Sequence, residues 1–158
     1  MNAAATRLSS TTDRKIVTTR LIDAPRELVF SMFTDPRHIV HWWGPTGFTN
    51  TISEMDVKPG GVWRFIMHGP DGVDYKNKIV YIEVLKPERL VYTHGPDGEA
   101  DAGEFMVTVS FVEQSGKTRL TMHGLFKTAE ECAKAKEFGA VEGGRQTLDR
   151  LEEYLAKM

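Results

Sequence analysis

Five histidines, a single cysteine and three tryptophans are the side chains of this 158-residue sequence most able to do chemistry, and their spacing decides what kind. His38 and His41 stand three apart, while His68 and His94 each open the same pentapeptide, HGPDG, at 68–72 and 94–98. A catalytic zinc site takes three protein ligands, and neither these histidines nor His123 falls in a helical HExxH pattern, so no metal is expected. Proline followed by Asp-Gly is efficient turn chemistry, so His68 and His94 are expected to satisfy backbone groups beside two reused turns. Cys132 lies among Glu130, Glu131 and Lys134, where acidic neighbours raise a thiol pKa, and no GxSxG elbow is present. Cys132 is therefore expected as a small buried apolar residue, with no nucleophile in the chain. Glu83 and Arg64 fall within strand-like runs, and the parity around Glu83 is apolar on both sides, which leaves its facing open. Turned inward beside Tyr81 and a partner, Glu83 would be a general acid or base; turned outward, it forms an ordinary ion pair.

The densest aromatic feature is HIVHWWGPTGF, residues 38–48. Asp35-Pro36 caps a short helix there, and Gly44-Pro45 stops it, because the residue before proline is pushed out of helical geometry. Trp42 and Trp43 are then about 100° apart around the helix axis. One is expected to enter the core and the other to stand at a cavity mouth; the plain alternative puts both in the core. Burying a tryptophan fully stabilises by roughly 4–6 kcal/mol as an upper estimate, so the pair is structural first.

These residues need elements to position them. KIVTTRLI (15–22) is β-branched and strand-like, and DAPRELVFSMFTD then switches to helical spacing. From 49 to 126 six further strands alternate; Trp63, Phe65 and Met67 share one face of VWRFIMH, and Phe105, Val107, Val109 and Phe111 share one face of the strand after the second HGPDG. Thr128 and Glu131 form a capping box that opens a helix running to the C-terminus, with Val141, Gly144, Leu148, Leu151 and Leu155 as its buried stripe. Gly143 and Gly144 inside that helix cost roughly 1 kcal/mol each, a cost that close approach to the sheet or a ligand would offset. The order is that of an α+β fold in which a twisted antiparallel sheet faces one long helix, with a cavity between them.

Composition narrows the function. A net charge of −2 and a pI near 6.2 give no basic field for nucleic acid or anionic lipid. One cysteine excludes an internal disulfide, and no apolar run is long enough to span a bilayer. The polar start has no apolar h-region, so a cytoplasmic protein is expected, with residues 1–13 a disordered tail and 14–158 a single domain. The acidic loop GPDGEADAG is expected to be mobile.

DAPRELVFSMFTDPRHIVHWWGPTGFT, DVKPGGVWRFIMHGPDG, VLKPERLVYTH and the closing TLDRLEEYL together resemble the START-like, birch-pollen-allergen-like superfamily, in the branch named for the activator of the heat-shock protein 90 ATPase. The resemblance covers residues 15–158. It implies a helix-grip fold: a seven-stranded antiparallel sheet wrapped around a long C-terminal helix, two short helices after the first strand, and a deep cavity. Many members carry Gly-Trp where this chain has Gly143-Gly144, which implies a larger cavity here. The expected function is binding of a small hydrophobic or amphipathic ligand without catalysis or cofactor, as a monomer or homodimer. The expected wall is Trp42, Trp43, Phe48, Trp63, Phe65, Met67, Tyr81, Tyr92, His94, Phe105, Phe138, Val141 and Leu148. Two alternatives stand beside it: a chaperone-interacting module, and a cyclase or hydratase acting on a polyketide-like substrate.

Overall fold

A computed structural model describes residues 13–98 and 103–158; the expected tail, apart from Asp13, and the centre of the acidic loop lie outside the described residues. Strand β1 (Lys15–Ile22) leads into helices α1 (Arg26–Thr34) and α2 (Pro36–Ile39). Six strands follow: β2 (Thr49–Met55), β3 (Val62–His68), β4 (Asp74–Leu85), β5 (Arg89–Pro96), β6 (Phe105–Gln114) and β7 (Lys117–Leu125). Helices α3 (Ala129–Glu137) and α4 (Ala140–Ala156) close the chain. All seven strands form one antiparallel sheet in the order β1-β7-β6-β5-β4-β3-β2. Every connection from β2 to β7 is a hairpin; only β1 crosses the molecule to pair with the last strand, and α1 and α2 make that crossing.

The inner face of the sheet follows the period of two. Trp63 and Phe65 on β3, Ile79 and Tyr81 on β4, Leu90 and Tyr92 on β5, and Val107, Val109 and Phe111 on β6 are all buried. A bulge between Tyr81 and Glu83 resets the parity of β4, so Ile82 points out and Val84 packs against the core. That inserted residue is why apolar side chains occupy both parities there. Glu83 ends on the outer side, accepting from Arg89 Nε at 2.6 Å, and Arg64 lies between Glu54 and Asp97.

The C-terminal helix is broken where one continuous helix was expected. Thr128 caps α3 by accepting from the Glu131 backbone N–H at 3.0 Å, but α3 stops at Glu137. Gly139, at φ +86°, takes the left-handed conformation that glycine adopts without strain, and α4 restarts at Ala140. Cys132 on α3 is fully buried. The regular part of α2 is also shorter than expected: it ends at Ile39, and turns held by Trp42 N–H and Trp43 N–H to Ile39 O carry the chain on to Gly44.

At one end α1 and α2 build an aromatic plug. Phe30 and Phe33 meet Phe111 edge-on at 5.2 and 5.3 Å, and Phe33 meets Trp42 at 4.9 Å. Leu148 and Leu151 of α4 are fully buried in the same core. From β1, Arg20 donates to Asp149 and Glu152 and to Arg145 O, fastening the helix to the sheet edge. His38 and His41 bear on Tyr154: His38 Nδ1 lies 2.8 Å from its hydroxyl, and His41 stacks on the ring. Their three-residue spacing serves packing of α2 on α4.

Candidate functional site

Towards the other end of α4 the helix and sheet do not close. A cavity of about 460 Å³ lies between the inner faces of β5, β6 and β7 and the segment around the helix break. Its sheet wall is Met67, Tyr92, His94, Phe105, Val107 and Met122; its helix wall is Ala135, Phe138, Gly139, Ala140, Gly143, Gly144 and Thr147; Trp43, Gly44 and Pro45 complete it. Among the described residues, no lysine, arginine, aspartate or glutamate is on this wall.

The WWGP segment is positioned from two sides. Arg150 Nη1 donates to the carbonyl oxygens of Trp43, Gly44 and Pro45 at 3.1, 2.9 and 3.0 Å. Asn50 Nδ2 donates to Trp43 O from β2, and the Thr46 N–H donates to Gln146 Oε1. A planar guanidinium suits this task because several carbonyls can share its fixed fork of donors. Gly44 is favoured there by its φ of +99°, in the left-handed region; a Cβ would also approach Met67 Cε at 2.8 Å, a flexible methyl that can yield.

Thus fixed, the two tryptophans divide. Trp42 is fully buried in the plug, donating from Nε1 to Met32 O at 3.2 Å, whereas Trp43 lines the cavity. Trp43 also packs edge-on against Trp63 at 5.3 Å and Phe65 at 6.5 Å. Trp63 and Phe65 stack on each other at 4.2 Å, and neither lines the cavity.

Of the thirteen side chains expected from the sequence, the structure brings Trp43, Met67, Tyr92, His94, Phe105 and Phe138 together on this wall. The other seven lie elsewhere. Trp42 and Leu148 are in the plug core, Trp63 and Phe65 lie against Trp43, and Tyr81 meets Tyr92 edge-on at 6.1 Å without reaching the cavity. Phe48 packs beside Tyr75, and Val141, in the first turn of α4, is exposed. Phe138 sits at the break with 83% of its surface exposed, a rim residue rather than a wall filling the interior. Val107, Met122, Pro45 and Thr147 were not expected; Val107 was legible in the alternation of β6, and Met122 sits two residues from buried Leu120 on β7.

Gly143 and Gly144 both face the cavity region. A Cβ on Gly143 would lie 3.4 Å from Pro45 Cγ, and one on Gly144 would lie 3.2 Å from Thr18 Oγ1 of β1. The pair therefore lets α4 approach Pro45 and the sheet edge closely, which offsets its poor helix propensity.

His94 departs from the backbone-capping role its sequence position suggests. It points inward from β5, with rings of Phe105, Phe65 and Trp43 at 5.3, 5.9 and 6.5 Å, and its Nε2 is 3.0 Å from Asn77 Oδ1. Burial pulls its imidazole down to about 4, so it is neutral at pH 7. Burial pushes the Tyr92 and Tyr81 hydroxyls well above the ordinary tyrosine value. His68, by contrast, is paired at the surface with Thr51 and Asp74.

A seven-stranded antiparallel sheet facing a C-terminal helix, with two short helices after the first strand, defines the helix-grip class of α+β proteins. The model of the family described as Activator of Hsp90 ATPase homolog 1-like protein matches residues 23–156, and the chain belongs to that family. Among solved structures it is similar to an Arthrobacter aurescens protein determined by solution NMR, with 25% identity, a TM-score of 0.86, and coverage of 94% of this chain and 89% of that one. A Mycobacterium smegmatis protein gives 25% identity and a TM-score of 0.83 over 92% of both chains. A Nitrosomonas europaea protein gives 25% identity and a TM-score of 0.82 over 92% of this chain and 96% of that one. No curated protein matches. Among the described residues, no helix is long and apolar enough to cross a membrane, and no cluster of three histidine, cysteine or acidic side chains is arranged to hold a metal.

Proposed function

We propose that this protein binds a small, uncharged, apolar or amphipathic molecule in the cavity under the α3–α4 break. The observation that carries this reading is the wall itself: about 460 Å³, within the range of small-molecule sites, lined by aromatic, methionine and aliphatic groups and, among the described residues, without a charged side chain. Burying an ionised ligand against such a wall is costly, so neutral ligands are favoured. Proton-transfer catalysis needs an ionisable pair at the ligand, and of Arg64, Glu83, His94 and Glu142 only His94 is on the wall. Arg64 and Glu83 are paired on the outer side of the sheet, and Glu142 is paired with Arg145 on the exposed side of α4. That distribution supports binding over a cyclase or hydratase.

Titration of the protein with neutral lipids, flavonoids and polyketides, followed by tryptophan emission, tests the reading. A saturable change that disappears in Trp43→Phe is expected, because Trp43 alone of the three tryptophans lines the cavity. No response to any of these ligands would sink it. The family's description supports a second reading, action on a chaperone, which stimulation of heat-shock protein 90 ATPase activity by the purified chain would reveal.

A further inference from the structure

The cavity-binding reading leaves open what distinguishes one neutral ligand from another, and two side chains on β5 bear on that. Asn77 fixes its own orientation: its Nδ2 donates to Tyr75 O at 2.9 Å, which leaves Oδ1 facing His94 Nε2 at 3.0 Å. An amide oxygen only accepts, so Nε2 carries the hydrogen. In a neutral imidazole the lone pair then belongs to Nδ1. Nδ1 has no hydrogen-bond partner among the described residues, and the ring that carries it lines the cavity.

Tyr92 stands two residues earlier on the same face of β5. Its hydroxyl has no partner among the described residues either and, unlike the sealed Tyr81 hydroxyl, it is not closed off. The third polar side chain of the wall, Thr147, uses its hydroxyl on Gly143 O at 2.8 Å. Beside them stands the Trp43 indole N–H, also without a partner among the described residues, so the polar side chains of the wall offer a ligand one acceptor at His94, the Tyr92 hydroxyl and one indole donor, with no charge among the described residues.

We propose that His94 Nδ1 and the Tyr92 hydroxyl form an orienting pair that selects an uncharged aromatic hydroxyl compound of the phenol class. The ligand's O–H would donate to His94, its oxygen would accept from Tyr92, and its ring would lie against Trp43, Phe105, Met67 and Met122. A carboxylate would face the His94 lone pair with no cation on the wall to balance it. This proposal rests on the cavity-binding reading and adds a polarity to it.

The test compares 2-naphthol, 2-methoxynaphthalene and 2-naphthoate at pH 7 on the full chain, each titrated while the ¹³C-methyl signals of Met67 and Met122 are followed. The methyl ether keeps the shape and the acceptor but loses the donor. The expected result is 2-naphthol binding roughly tenfold more tightly than the ether, with 2-naphthoate weakest. In His94→Phe the first two should come within about twofold of each other while the ether still binds. ¹⁵N spectra of the unmodified protein supply a check independent of any variant, and should show the His94 proton on Nε2. Equal affinities for naphthol and ether, a preference that survives His94→Phe, or a proton on Nδ1 would each overturn the proposal while leaving cavity binding intact. Failure of all three probes to bind would overturn the cavity reading and this proposal together.

Discussion

The two halves of α4 run along the same sheet under opposite rules. Its C-terminal half inserts Leu148 and Leu151 completely into the aromatic plug, fastened by Arg20 at the sheet edge and by His38 and His41 against Tyr154. Its N-terminal half presents Ala140, Gly143, Gly144 and Thr147, side chains too small to reach the opposite wall, and the space is left open. One helix thus supplies stability at one end and capacity at the other. The boundary falls within a single step of the helix, between Thr147 and Leu148. Side-chain size, rather than any change in backbone path, separates the core from the cavity.

The contrast is most easily broken at the closed end. Leu151→Ala is expected to cost about 2–5 kcal/mol in urea unfolding, because a fully buried leucine leaves a void among neighbours that cannot collapse. Phe138→Ala, at the open end, should change stability by less than about 0.5 kcal/mol despite removing a larger side chain. Similar losses from both would mean that the two halves do not differ.

A second test uses pH. The folded pKa of His94, about 4, lies below the ordinary value of 6.5 expected in the unfolded chain. As pH falls the unfolded state takes up this proton first, so the stability His94 contributes as a neutral ring is complete above about 6.5 and is lost on going down to about 4. The loss should be on the order of 2–4 kcal/mol across that window, read as unfolding free energy against pH. Asn77 and the surrounding aromatic rings offer no charge to counter it. His94→Phe should flatten that part of the curve; an unchanged slope would show that the wall is wetter than its geometry implies.

The smallest effect sharpens the comparison. Gly143→Ala gains helix propensity, up to about 1 kcal/mol, and its Cβ would meet Pro45 Cγ at 3.4 Å, the near edge of ordinary contact. A modest rise in thermal midpoint together with weaker ligand binding is expected. Stabilisation without weaker binding would place the ligand away from α4.

Much of this was legible before any coordinates. The strand alternation placed all seven strands, β1 to the residue, because a half-buried antiparallel sheet writes its faces into a period of two. Asp35-Pro36 announced α2, and the cap on α3 was visible in Thr128. The facing of Glu83 was not legible, since a bulge shifts parity without leaving its own residue type behind. Nor was the break at Gly139: three glycines lie within six residues, and only the tertiary fit decides which one turns left-handed and which two stay helical. Val141 and Leu148 do share one face of α4, seven residues apart, but Val141 lies in its first turn, where the sheet no longer covers that face. His94 is on the wall expected from the sequence, but its partner is not legible there; its turn is like that of His68, yet its strand is central and its ring meets Asn77 rather than backbone groups.

The buried thiol of Cys132 gives the molecule a clock. It is the only sulfhydryl in the chain, and α3, which carries it, ends against the cavity rim at Phe138. A thiol reagent can reach Sγ only after α3 lifts or the chain unfolds, so the labelling half-time measures how often that helix departs. With reagent in excess, labelling no faster than global unfolding would mark a shut roof; labelling much faster would give the opening frequency of the entrance directly, and a bound ligand would retard it.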